Sequence, residues 1–346
     1  MTFPKLTFFC ELESEPLQTL FQNPEVIHDL SALNGAVSLS IQDLSAVRAE
    51  VVRRLNDAGI PVTAWLLLPK EQGYYFNIDN YPEAVFRYQE FYNWTIEHRL
   101  RWSGIGLDIE PDIRLLLTLA RGKWRALLRE APRLVKHTLN HRRYKNARRA
   151  FEELIDQIHA DGYPVETYQF PVLADERKTR STLLQRMSGI VDIRADREVW
   201  MLYSSFIKRR SPGYLWSYAP QAQAIGVGST GGGAESEAFS LPSLGWEELA
   251  RDLRLAWYWS DQLYIFSLEG CVQQGFLKRI QKMAWDQPIL FPSEAVEPVK
   301  AGRRALQGFL WINKNSPIIL SILIGGFVLV ETIRRLVRRR RAAISY

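Results

Sequence analysis

The stretch "SGIGLDIE", Ser103 to Glu110, decides the fold. Side chains on a strand alternate between its two faces. Gly106, Asp108 and Glu110 therefore share one face, and Ile105, Leu107 and Ile109 the other. The aliphatic face can pack against helices, while the other carries two acids at the strand's end. That pattern suits a strand that stops at a site. Three short apolar segments precede it, "KLTFFCEL", "AVSLSI" and "PVTAWLLL", and four follow, "PVETYQF", "EVWMLYSSF", "QAIGVGS" and "QLYIFSL". Between them lie helical patterns such as "SAVRAEVVRRLNDAG", whose Gly59 is placed to end the helix, "PEAVFRYQEFYNWTIEHRL" and "WEELARDLRLAWYWS". Eight strands alternating with helices predict an α/β fold, a (β/α)8 TIM barrel over residues 1–285. A doubly wound open sheet is the competitor. The count of eight, with the domain ending after the eighth unit, favours the barrel.

The 346 residues suffice for one such domain, with 47% hydrophobic and 24% charged residues. The net charge of +6 is concentrated at the end: from Ser316 onward there are six Arg and one Glu. The remaining body, near neutrality, gives no argument for a nucleic-acid partner. Cys10 and Cys271, the two cysteines, make neither a disulfide framework nor a zinc-type spacing. The opening "MTFPKLTFFCELESE" lacks the basic start and long apolar run of a secretory signal.

"SPIILSILIGGFVLVETI", Ser316 to Ile333, is about one bilayer-length of apolar helix, followed at once by "RRLVRRRR". Residues 286–314, beginning "DQPILFPSEAVEPVK", read as a linker and juxtamembrane segment, 315–335 as a transmembrane helix and 336–346 as a basic tail. The expected localisation is a membrane, through a single C-terminal anchor. The side is open: six Arg after the span outnumber Arg303, Arg304 and Lys314 before it, which would place the barrel outside, yet no signal for its export is visible.

In a TIM barrel the active site forms at the C-terminal ends of the strands. Asp108 and Glu110 would point into that mouth, with Gly106 leaving space below them. Two carboxylates this close disfavour joint ionisation, so one becomes a proton donor near neutral pH. That suits the general acid of glycosidic cleavage. The plainer alternative is a pair that caps a helix or binds Arg114.

These residues resemble the fourth-strand signature of the family 18 glycoside hydrolases, the chitinase-like barrels, Asp-x-x-Asp-x-Asp-x-Glu. Asp108 and Glu110 match, and Ser103 and Gly106 stand where the family has its first two acids. In the sixth strand "WMLYSSF" resembles the family's Met-x-Tyr-Asp: Met201 and Tyr203 match, and Ser204 replaces the acid. The resemblance implies Glu110 as general acid/base and Asp108 orienting a substrate N-acetyl group whose carbonyl oxygen is the nucleophile, with Tyr203 assisting. It implies a carbohydrate substrate. No cofactor and no metal ligand are assigned.

Around the mouth, Glu11 ends the first strand and Glu269 follows the eighth, which are neighbours in a closed barrel; each is read as a sugar-hydroxyl ligand, a second catalytic carboxylate or a solvated rim charge. Tyr74, Tyr75, Phe76, Trp216 and Tyr218 lie on loops where rings could stack on pyranose faces or pack their own loops. "GVGSTGGG", Gly226 to Gly233, contains G-x-G-x-x-G without the strand-turn-helix context of a dinucleotide site, and reads as a plain loop or a lid. Arg121 to Arg149 carries eleven Lys or Arg and one acid, with Leu and Trp interleaved. It reads as a segment lying on an anionic membrane, which would turn the mouth toward lipid, or as a helical pair with a solvated basic face. Three functions are weighed: a membrane-anchored glycosidase or transglycosidase, a carbohydrate-binding barrel without turnover, and a metal-dependent phosphodiesterase using Glu11, Asp108, Glu110 and Glu269.

Overall fold

The computed structural model describes residues 3–112, 138–206, 211–232, 242–289 and 291–316. Eight parallel strands close into a barrel in chain order. They are β1 (Lys5–Cys10), β2 (Ala36–Ile41), β3 (Val62–Leu66), β4 (Gly104–Asp108), β5 (Val165–Gln169), β6 (Arg197–Met201), β7 (Ala224–Gly228) and β8 (Gln262–Phe266). The barrel closes by pairing β1 with β8, from Lys5 opposite Gln262 to Phe9 opposite Phe266. The expected (β/α)8 barrel is therefore the fold.

The first half carries α1 (Ser14–Gln22), α2 (Pro24–Ala32), α3 (Ala46–Asp57) and α4 (Tyr81–His98) outside the strands. The second half carries α5 (His141–Ala160), α6 (Val172–Thr179), α7 (Leu183–Ser188), α8 (Ser211–Tyr218), α9 (Trp246–Trp257), α10 (Leu268–Gln273) and α11 (Phe276–Gln281). Local chemistry sets their ends. The Ser45 hydroxyl accepts the Arg48 N–H and starts α3, and Gly59, at φ +71°, makes the turn after it.

Alternation along the strands separates two cores. Outward side chains, among them Leu39, Ala64, Ile105, Leu107, Ile225 and Ile265, pack under the helices. Inward ones, among them Phe9, Trp65, Tyr168, Val199 and Tyr264, fill the lumen. Each large apolar side chain so buried contributes about 1.5–3 kcal/mol. Polar groups are buried as well, Glu166 in the lumen and Arg48 on α3 among them. The Glu166 carboxylate accepts from Arg197 at 2.6 Å and from the Tyr264 hydroxyl at 2.8 Å. Fully buried Arg48 donates to the Ser40 and Leu12 carbonyls and to Asp43. Burial works against the Asp43 charge, but Arg48 and Ser45 outweigh it and hold that carboxyl well below its usual range.

The segment read as a linker is helical over 293–316, called α12 here, with Val296 and Leu310 buried. Arg303 fixes it to the barrel, bonding Asp175, the Ser217 carbonyl and Gln221 and lying 3.8 Å over the Tyr218 ring. Among the described residues no helix is long and apolar enough to cross a membrane. The expected transmembrane helix beyond residue 316, the basic tail, and residues 121–137 of the basic insertion lie outside the described residues.

Candidate active site

β4 does not stop at Asp108. The Phe76 N–H donates to the Asp108 carbonyl and the Glu110 N–H to the Phe76 carbonyl, both at 3.0 Å, pairing Phe76 with Ile109. This extra rung brings the loop after β3 against the end of β4. The loop is pinned by Asn80, which accepts from the Asn77 N–H and donates to the Gln72 and Tyr75 carbonyls. Tyr74 and Tyr75 are thereby carried to the barrel mouth.

There, one cleft is lined by Glu11, Tyr75, Asp108, Glu110, Met201 and Tyr203, all of them expected site residues. Phe9, Trp65, Tyr168, Ser229 and Phe266 complete it. Asp108 and Glu110 are 2% and 5% exposed. The cleft is narrow, with about 30 Å³ of free volume, room for water rather than a pyranose ring. A sugar would enter only as the lining side chains part. The Glu11 carboxylate accepts the Tyr74 hydroxyl at 2.5 Å. Burial first, then Glu11, pushes the Tyr74 hydroxyl far above its usual range and keeps it protonated as a donor.

Trp65 was not among the expected residues. Its indole Nε1 donates to Asp108 Oδ2 at 3.0 Å inside the lumen. Edge contacts with Phe9 and Tyr168 hold the ring. Trp65 therefore fixes the orientation of Asp108. Trp65→Phe keeps the ring and removes the bond. We expect turnover to fall about tenfold, the loss of one hydrogen bond to Asp108, with KM nearly unchanged. Steady-state kinetics at one pH check this; unchanged turnover would leave Trp65 a packing residue.

Of the three positions where the chitinase-like pattern has a further acid, Gly106 alone has its space taken by another side chain. A side chain at Gly106 would place its Cβ 2.3 Å from the Tyr168 hydroxyl. The space expected below Asp108 is thus not empty but filled by Tyr168, which shares a 2.6 Å hydrogen bond with Ser38. Ser103 is exposed at the foot of β4, away from the mouth. Ser204 turns from the cleft to bond Asp252 on α9.

Glu269, at the start of α10, does not line the cleft. It sits behind Glu11, whose N–H approaches its carboxylate at 3.4 Å. Gly232, at φ +78°, folds over it, where a Cβ would fall 2.5 Å from Glu269 Cγ. Thr230 and Gly231 bond Ser267. The glycine-rich stretch is, over its described part, a loop packed on the turn after β8. Burial pushes the Glu269 carboxyl from 4.5 up to about 7. Between those values the folded chain keeps a proton that the unfolded chain has released. This group's stabilisation is complete below about pH 4.5 and is lost as pH rises through about 7, on the order of 3 kcal/mol in full. Glu269→Gln should flatten stability against pH across that window, as urea midpoints at pH 5 and pH 8 will show.

Trp216 is not at the mouth. It packs on Tyr258, Trp259 and Phe291 outside the barrel. Tyr218 is likewise engaged elsewhere, bonding Asp175. Glu269 lies behind Glu11 and outside the cleft that holds Asp108 and Glu110, so the four-carboxylate metal set does not assemble. Among the described residues no group of three or more His, Cys, Asp or Glu has a metal-holding arrangement.

No family model matches the chain, and no curated protein sequence matches it. Among solved structures, the fold is similar to the glycoside hydrolase domain of PgaB (BpsB) from Bordetella bronchiseptica. The TM-score is 0.51 at 10% identity, covering 82% of this chain and 99% of that one. An L-ribulose 3-epimerase aligns at TM-score 0.41 and 10% identity over 88% of this chain and 98% of that one. A D-psicose 3-epimerase from Clostridium cellulolyticum H10 aligns at 0.38 and 11% over 89% and 99%. At these identities the likeness shows the barrel fold alone.

Proposed function

We propose that the chain is a glycoside hydrolase or transglycosidase acting on an N-acetylated or membrane-associated glycan. The observation that carries this reading is the convergence of Asp108, Glu110, Tyr203 and Tyr75 on one cleft at the C-terminal end of the barrel. The likeness to a glycoside hydrolase domain and the chitinase-like spacing of Asp108, Glu110, Met201 and Tyr203 support it. In this reading Glu110 protonates the glycosidic oxygen as the anomeric C–O bond breaks. The substrate's acetamido oxygen bonds the anomeric carbon, with Asp108 holding the acetamido N–H and Tyr203 its carbonyl. Water, giving its proton to Glu110, then opens the ring and places a hydroxyl on that carbon. Tyr75 and Glu11 bind the sugar.

A carbohydrate-binding barrel without turnover is the second reading. Tyr168 in the place of one family acid and the outward turn of Ser204 favour it. The two separate on paired oligosaccharides, N-acetylated and de-N-acetylated. Release of reducing ends from the first alone supports the enzyme with a substrate nucleophile. Binding of both with release from neither supports the second reading and ends the first. The membrane anchor at 315–335 is part of the proposal, supported by the apolar run and Arg cluster in the sequence. Extraction of the full chain from membranes by alkaline carbonate would remove it.

A further inference from the structure

A groove far larger than the cleft lies elsewhere on the described residues. About 780 Å³ in volume, it lies outside the barrel between α6, α8 and α12. Its position follows from the topology. Arg194 precedes the start of β6, Gln221 that of β7 and Trp259 that of β8, and all three border the groove. In a parallel barrel the strand starts share one end, so the groove opens at the floor, opposite Asp108 and Glu110.

The lining is basic and aromatic. Arg177, Lys178, Arg194, Lys300, Arg303 and Arg304 face it, and among the described residues no acid lines it. Arg177 is held by Asp192 and Glu198, and Arg303 by Asp175. Lys178 and Arg304 form no ion pair among the described residues. The rim is the cluster of Trp216, Tyr258, Trp259 and Phe291. Tyr258 is 61% exposed and Phe291 53%. On α12, Lys300, Arg304 and Gln307 line the groove, and exposed Trp311 continues the same helical stripe, one turn beyond Gln307.

We infer that this floor is a docking surface for an anionic lipid bilayer. Two observations select that occupant over a soluble polyanion. The rings stand exposed on the rim beside the cations, the combination that inserts at a headgroup layer while basic side chains meet lipid phosphates. The basic stripe also runs along α12 toward the apolar sequence from Ile318 to Val330. Docking by the floor turns the mouth away from the bilayer, the opposite of the orientation expected from the Arg121 to Arg149 insertion. If the glycan reading holds, the substrate is then a chain standing off the surface, not a sugar joined to a headgroup.

The test uses the full chain reconstituted in phosphatidylcholine vesicles, with or without about one third phosphatidylglycerol. Cys10 and Cys271 are buried, so a polarity-sensitive dye can be placed at Tyr258→Cys, with exposed Phe86→Cys on α4 as control. The Tyr258 label should shift to the blue and be quenched by lipid-borne quenchers in anionic vesicles only. The shift should vanish near 1 M salt and in Lys178→Glu/Arg304→Glu, while the Phe86 label stays in water throughout. Equal signals in neutral and anionic vesicles, or an equal response at Phe86, overturns the proposal. So does the same shift produced by polygalacturonate without vesicles, which would assign the groove to a soluble polyanion. None of these readouts depends on turnover, so this surface and the glycosidase reading can fail separately.

Discussion

Glu110→Gln should lower turnover of a glycosidic substrate by about 10²- to 10⁴-fold while leaving glycan affinity within a few-fold of the parent. The amide keeps the size of the side chain and cannot supply the proton that the leaving oxygen takes. The backbone around it is held independently, by the Glu110 N–H on the Phe76 carbonyl and by Ile109 in the outer core, so the substitution leaves the cleft's shape intact. A substrate with a highly acidic leaving group, needing little protonation, should lose less in its first step. Steady-state rates on good and poor leaving groups, with binding by calorimetry, check both statements. Unchanged turnover with the poor leaving group would remove Glu110 from the mechanism.

Introducing the acid of the chitinase-like pattern is expected to do harm. Gly106→Asp should destabilise the barrel by more than about 4 kcal/mol. Two penalties combine. Any Cβ at 106 falls on the Tyr168 hydroxyl and ring, at 2.3 and 2.7 Å. The added carboxylate also enters a lumen where Tyr168 is already bonded to Ser38. Gly106→Ala isolates the steric part, about 1–3 kcal/mol. Combining it with Tyr168→Val should recover much of that loss, so the two changes couple instead of adding. Urea midpoints of the four variants in this cycle measure the coupling; additivity would mean that Tyr168 yields freely.

How far the sequence could be read follows from the same residues. Strand alternation placed Asp108 and Glu110 in the lumen and Ile105, Leu107 and Ile109 under the helices, because it depends only on backbone geometry. Applied to "PVTAWLLL", the same parity sets Thr63, Trp65 and Leu67 on one face, and would have found Trp65. Tyr168 in "PVETYQF" could have been found likewise. What the parity cannot give is distance across the lumen, and so Gly106 read as a space when a ring from the next strand fills it. Trp216 was misplaced for another reason. It follows the sixth strand in sequence, but α8 carries it down the outside of the barrel before β7 begins. Ser204 shows the same limit: the turn after β6 sends it outward to Asp252.

The pairing of β1 with β8 also governs how the chain is born. Lys5 meets Gln262, and Glu11 meets Glu269, 258 residues later. At ordinary rates of synthesis the edge of β1 waits on the order of ten to fifty seconds for its partner to leave the ribosome. Over that interval "KLTFFC" is an apolar strand with an unpaired edge, open to other chains. High contact order adds a slow closing step after release. A stalled chain can already contain Asp108 and Glu110 in a strand, yet Glu11 reaches its place against Glu269 only when the last strand docks.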